Sequence, residues 1–299
     1  MNLQVLKANL LLFTAAVVWG GTFVAQRAGM DNLGPLAYTG VRFLLGSLFL
    51  FPLAWLRRHQ RPPDFLAAGR NFKIRGGILA GLIMFIGINL QQIGLVQTTA
   101  GKAGFITGLY VILVPLLGLA LGRRPGAGVW LGVTLAASGL YLLSVTEAFT
   151  LAPGDGWVLV CALVWAVHVW IIGWLSPKMD AFVLAFGQAF VCALLSLAAA
   201  GLAGEAVTLA AIEKEAGPLA WGGIMSVAFG FTLQVMGQKE SPPAHAAVIM
   251  SLESVFAAVS GWIILAETMS PRGLGGAGLM LAGALIAQLW PRRRIQTGN

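Results

Sequence analysis

Gly87 to Gly94, GINLQQIG, returns at an offset of 143 residues as Gly230 to Gly237, GFTLQVMG. A glycine, a Leu-Gln pair and a second glycine hold the same register in both copies. The offset also pairs Thr98 with Ser241, Ala103 with Ala246, Ile106 with Ile249, Leu109 with Leu252 and Gly132 with Gly275. Further upstream it drifts to 146, which matches Ala16 with Ala162, Val18 with Val164 and Trp19 with Trp165. Apolar matches are easy to find in a hydrophobic chain, whereas polar and glycine matches in a fixed register are not. The chain therefore reads as a duplication, with one repeat over residues 1–148 and a second over 149–299.

Around these motifs the composition is that of a membrane protein. Hydrophobic residues make up 58% of the 299, charged residues only 10%, and mean hydropathy is +0.83; soluble domains carry roughly a quarter charged residues. A bilayer-spanning helix needs about 20 mainly apolar residues. Ten such stretches can be drawn, at 8–29, 36–56, 74–95, 102–121, 127–145, 155–174, 180–201, 218–237, 244–265 and 271–290. The expected fold is all-α and polytopic, with ten transmembrane helices in two five-helix halves. The first stretch reads as a span rather than a removable signal, because no small-residue cleavage site and polar mature segment follow it. The formal charge of +8 does not point to nucleic acid, since the basic residues sit in short tracts between apolar runs. Cys161 and Cys192 both fall inside apolar stretches, so neither a disulfide framework nor a metal cluster is indicated.

Charge then sets the orientation. With the N-terminus in the cytoplasm, Lys7, the basic loop from Arg57 to Arg75, Arg123, Arg124, Lys178, Lys239 and Arg292 to Arg294 all lie on the cytoplasmic side. That is 14 of the 19 basic residues. The opposite side carries Asp31, Glu147, Asp155, Glu205, Glu213, Glu215 and Glu267. Such a Lys and Arg bias is the signal that orients membrane helices, and it puts both termini in the cytoplasm. Five spans per half is an odd number, so the second half enters the membrane inverted. Inverted repeats let two related bundles rock about a site near the midplane, which favours a carrier over an enzyme or a scaffold.

The residues also carry a family resemblance. LESVFAAVSGWIILAE, from Leu252 to Glu267, followed by LGGAGLMLAGALI from Leu274, resembles the end of the EamA domain of the drug/metabolite transporter superfamily. VVWGGTFVAQR, from Val17 to Arg27, and Arg42 with Phe43 resemble that family's first two helices. The likeness extends over essentially the whole chain. It departs where many relatives have Pro after the mid-helix acid and this chain has Ser254, and in having Arg123 and Arg124 in the first half where the second half has Glu267. Within the superfamily the chain looks most like bacterial YddG-type exporters of aromatic amino acids. The resemblance implies an alternating-access exporter of small amphipathic organic solutes, aromatic amino acids above all, in a bacterial inner membrane. The alternative it leaves open is a broad drug or other metabolite exporter.

Candidate site residues follow from polar and aromatic side chains inside the spans. Glu253 is the acid placed deepest in a span, where a charge costs roughly 2.5–3.5 kcal/mol on an insertion scale; it either meets a substrate amine, with proton coupling as an option, or is a hydrogen-bonded packing residue. Asn89, Gln91 and Gln92 cannot share one face. Asn89 and Gln92, three apart, are assigned to the cavity, and Gln91 is expected to point elsewhere. Phe231 and Gln234 form a mixed stripe on the eighth span. Trp19, Phe23 and Gln26 on the first span, and Trp165 with His168 on the sixth, offer ring surface with a polar group one turn on. Tyr110 is the deeper tyrosine and a cavity candidate, whereas Tyr38 reads as an interface anchor. All of these could equally pack between helices. Arg42 is expected to snorkel to the outer interface as an anchor, with attraction of a substrate carboxylate as its other reading; His245 is a weak gate candidate, Pro115 a bend in the fourth span, and His59 a solvated loop residue.

There is no ATP-binding P-loop motif. Transport is expected to be downhill or coupled to a gradient. No cofactor, no metal and no catalytic residue is expected. The partners are a small-molecule substrate and the lipid bilayer, not nucleic acid; oligomeric state is left open, with a monomer sufficient.

Overall fold

In the computed structural model the described residues are 3–58, 70–98, 100–144, 152–265 and 270–290. His59, Glu147, Glu267 and Arg292 to Arg294 lie outside them. Main helices run in the order α1 (Leu3–Ala28), α2 (Pro35–Arg57), α3 (Arg70–Val96), α4 (Ala100–Ala120), α5 (Ala127–Ser144), α6 (Pro153–Leu175), α7 (Ala181–Leu202), α8 (Ala216–Gln238), α9 (Pro243–Leu265) and α10 (Pro271–Leu289). Among the described residues nine of these are long and apolar enough to cross a membrane; the apolar stretch of α5, Ala127–Leu143, is shorter. Ten full-length spans were expected, so the fifth is the exception.

The burial pattern is that of a protein whose solvent is lipid. Leu56, Leu202, Ile263 and Trp262 are exposed, while Arg42, Gln92, His168 and Gln188 are buried. Backbone polar groups in hydrocarbon must be paired within the segment, so only helices serve here. Pro35, Pro153, Pro243 and Pro271 each stand at a helix start, where the missing N–H costs nothing.

Helix contacts rely on small residues, as expected where lipid offers no hydrophobic drive for association. On α5 and α10, a Cβ added to Gly132 would stand 2.7 Å from the carbonyl oxygen of Gly283, and one added to Gly139 would meet that of Gly276. Two further pairs of contacts cross between the halves. Gly87 on α3 faces Trp165 of α6, and Gly230 on α8 faces Trp19 of α1; Gly94 faces Val158, and Gly237 faces Leu12. Each contact has a counterpart with the halves exchanged.

Three long helices depart from regularity at the level of the site. α4 is interrupted at Leu109, where Leu109 N bonds Ile106 O at 3.2 Å and Ile112 N bonds Leu109 O at 3.0 Å. α9 is interrupted at Ser251 and Leu252, where Leu252 N bonds Ile249 O at 3.1 Å and Ser254 N bonds Ser251 O at 3.2 Å. The helices resume at Tyr110 and Glu253, two positions that the repeat offset pairs. Pro115 lies one turn beyond the first break, inside the resumed helix. In α8 the segment Trp221–Gly230 winds as a π-helix, a wide form associated with functional sites.

The two ends of the bundle differ in chemistry. At one end Asp155 accepts from Thr98 Oγ1 at 2.7 Å and pairs with Lys102 at 2.6 Å, and Glu215 accepts from Asn32 Nδ2 at 2.6 Å. Here too Glu205 accepts from the backbone N–H of Ala37 at 2.7 Å. At the other end Arg57 faces Asp180 at 3.8 Å, with Lys7 and Lys239 around an open space of about 1130 Å³.

Candidate functional site

A cavity with an empty volume of about 530 Å³ lies in the middle of the bundle, walled by α1, α2, α3, α4, α6, α8 and α9. Its apolar wall is a cluster of rings. Phe231 lies 5.0 Å from Trp19 and 5.9 Å from Trp165, the latter nearly parallel at 16°. The π-helical winding of α8 ends at Gly230, so Phe231 projects from the first turn of regular helix into the gap between the two tryptophans. Trp19 Nε1 donates to the carbonyl of Ser226 inside that wide segment at 3.3 Å, which fixes one indole edge-on and leaves its face to the cavity.

The polar wall comes mainly from the first half. Gln26 Nε2 donates to Gln91 Oε1 at 3.2 Å and to Gln92 Oε1 at 2.9 Å; Gln91 Nε2 donates to Thr107 Oγ1 at 3.0 Å; Gln92 Nε2 returns to Gln26 O at 3.1 Å. This network ties α1, α3 and α4 together, so these amides are largely satisfied before any ligand arrives. The second half presents Gln234, whose Oε1 has no partner, and Glu253, which lies within hydrogen-bonding reach of the Tyr110 hydroxyl. Thus the two helix breaks bring a phenol and a carboxyl face to face.

Of the residues singled out in the sequence, Trp19, Phe23, Gln26, Tyr110, Trp165, Phe231, Gln234 and Glu253 all line this one cavity. Asn89, Gln92 and His168 do not. Asn89 Nδ2 donates to Ser196 Oγ and to Phe85 O, both at 2.8 Å, and so faces α7. His168 stands behind Trp165, edge-on at 5.3 Å, with Nε2 3.0 Å from Gln188 Oε1. Gln92 is spent on Gln26. The face assigned on α3 is therefore the wrong one: Gln91 lines the cavity and its neighbours turn away. Its repeat partner Gln234 was the available signal. Arg42 does not snorkel, being buried on the cavity wall, and Tyr38 is no interface anchor but a buried side chain whose hydroxyl meets Ala25 O and Pro218 O. Thr22, Ile88, Thr107, Val169, Ser226 and Met250 complete the lining; small or apolar residues of this kind carry no sequence signal.

Comparison with known proteins gives a consistent picture. The EamA-like transporter family matches at residues 6–145 and again at 152–288. A transporter of Archaeoglobus fulgidus is 32% identical over 95% of this chain and 86% of its own length. The threonine/homoserine exporter RhtA of Escherichia coli is 26% identical over 95% of this chain and 92% of its own. One solved protein structure superposes with a TM-score of 0.74 at 20% identity, over 94% of this chain and 96% of that one, which is a likeness of fold.

Proposed function

The chain belongs to the EamA-like transporter family and is thus a membrane transporter of small molecules rather than an enzyme; from that premise we propose that it exports small amphipathic organic metabolites by alternating access at the central cavity. The observation that carries this reading is the cavity itself. It combines a ring-lined wall with a few convergent polar groups, the usual make-up of a small-molecule site, and it lies where two helices break at matching positions.

Ten spans in two inverted halves, divided near residue 148, is the architecture we propose for that cycle. The exchanged contacts support it, since Gly87 against Trp165 and Gly230 against Trp19 are what a two-fold relation between halves would produce. In this arrangement α5 is the shortest span, held along α10. The basic residues favour both termini in the cytoplasm of a bacterial inner membrane, with the wide opening beside Lys7, Arg57 and Lys239 as the cytoplasmic entrance.

On cargo, the broader metabolite reading is preferred to one restricted to aromatic amino acids. Trp19, Trp165 and Phe231 suit a ring, yet a relative covering 95% of the chain is named for threonine and homoserine, neither of which has one. Purified protein in liposomes, with internal and external pH set independently, tests both points. Saturable flux stimulated by solute on the far side supports a carrier, and conductance that does not saturate defeats it. Flux of tryptophan or phenylalanine equal to that of threonine would favour broad cargo; strong preference for the aromatic pair would restore the narrower reading.

A further inference from the structure

Arg42 is 1% exposed on α2 and forms part of the cavity wall. A guanidinium keeps its charge at any pH a protein meets, and burying a charge without a partner is expensive. No carboxylate lies within ion-pair distance of it among the described residues. Its planar faces have company, with the ring of Phe43 at 5.1 Å and that of Tyr38 at 5.4 Å from Cζ. These contacts recover part of the cost. Its edge is another matter, because Nε and Nη2 are both buried and both lack a hydrogen-bond partner. The Tyr38 hydroxyl, which donates to Ala25 O at 3.2 Å and to Pro218 O at 3.1 Å, makes no hydrogen bond to either of them.

Nε and Nη2 form the side of the guanidinium that accepts a carboxylate through two parallel N–H···O bonds. We propose that Arg42 is the carboxylate-binding residue of the cavity, and that the solutes carried are amino acids held by their carboxylate at this edge. The remaining walls suit the rest of such a molecule. Trp19, Trp165 and Phe231 offer ring surface to a side chain, and Glu253, on the same cavity, offers an acceptor to the ammonium. A zwitterion neutralises both buried groups at once, which neither an amine nor a neutral drug can do. Gly222 leaves room for the stem, since a Cβ there would stand 3.1 Å from Arg42 Cδ.

This inference rests on the carrier reading, but its test can be kept separate by measuring binding without flux. Full-length protein in detergent is heated with phenylalanine or threonine and, in parallel, with the corresponding amide, which keeps the side chain and ammonium but lacks the carboxylate. The acid should bind at least about tenfold more tightly than its amide, as expected for paired charge-assisted hydrogen bonds. Arg42→Gln should reduce the acid to the level of the amide, and Arg42→Lys, a point charge without the fork, should fall between. Should Arg42→Gln fail to fold, the comparison of acid and amide on the wild-type protein and on Arg42→Lys still decides. Equal binding of acid and amide by the wild-type protein overturns the proposal, as does a preference that survives Arg42→Gln. The carrier reading fails independently, if the same solutes bind yet none exchanges across liposomes.

Discussion

Tyr110 and Glu253 hold the same position in the two halves of the molecule, each the first residue of a helix that resumes after a break. The backbone event is shared and the chemistry is not. At the first break a phenol sits among amides that already bond one another, Gln26 with Gln91 and Gln91 with Thr107. At the second, a carboxyl shares the cavity with Gln234, whose Oε1 is unpartnered. The amides around the first break are closed on one another, whereas the amide on the cavity beside the second has hydrogen-bonding capacity to spare. In the duplicated architecture we propose, the shared geometry of the cavity comes from the repeat and its polarity from divergence between the copies.

The largest expected effect lies in that divergence. If Glu253 exchanges protons during the cycle, a gradient of one pH unit provides about 1.4 kcal/mol, or roughly tenfold accumulation for one proton per solute. Glu253→Gln should leave the protein folded and abolish that accumulation, while Tyr110→Phe should slow flux and leave the pH profile in place. Flux measured against imposed pH gradients decides, and an unchanged profile in Glu253→Gln removes the acid from coupling. Arg42, Tyr110 and the Gln26 network face the same space and do not titrate near neutrality, so a residual profile would have to arise elsewhere.

A smaller difference is expected in packing. A Cβ on Gly230 would lie 2.5 Å from Trp19 Nε1, whereas one on Gly87 would lie 3.2 Å from Val164 and 3.6 Å from Trp165. Gly230→Ala should therefore displace Trp19 from Ser226 and cost about 1–3 kcal/mol, the range for overpacking, and Gly87→Ala should cost less than about 1 kcal/mol. Melting of the two variants in the same detergent checks this; equal losses would mean that the halves are packed alike. Smallest is the contrast between the amides. Gln91→Leu takes one of two amide partners from Gln26 and the amide donor from Thr107, at about 1–3 kcal/mol, while Gln234→Leu breaks no hydrogen bond at its Oε1 and should leave melting nearly unchanged. A Gln234→Leu protein as unstable as Gln91→Leu would show that the second half is also closed.

The spans were legible because lipid imposes long apolar runs, and the proposed repeat rests on GINLQQIG and GFTLQVMG, which carry polar residues in register. Eight of the eleven proposed site residues line the cavity for a related reason: a polar or ring side chain in an apolar helix must face protein. Rotational phase was harder to read. Asn89, Gln91 and Gln92 sit in a helix that is apolar nearly all round, so no amphipathic stripe marks the inward side. Arg42 was misjudged because its depth depends on how α2 packs against α8, where Gly222 makes room, and distance along one helix does not reveal that. The breaks at Leu109 and Leu252 have no proline at the break itself. At this level Ser254 Oγ donates to Gly104 O at 3.2 Å across α4 and α9, and Ser251 Oγ donates to Val248 O at 2.9 Å within α9.

The central claim is that one cavity between the halves is reached from each side of the membrane in turn. Gln234 is the place to test it, since it lines the cavity and its Oε1 holds nothing. In Gln234→Cys, with Cys161 and Cys192 replaced by alanine, a membrane-impermeant thiol reagent should label the new cysteine in both right-side-out and inside-out vesicles, and a saturating transported solute should slow labelling from each side. Labelling confined to one side, whatever solute is present, would contradict the account.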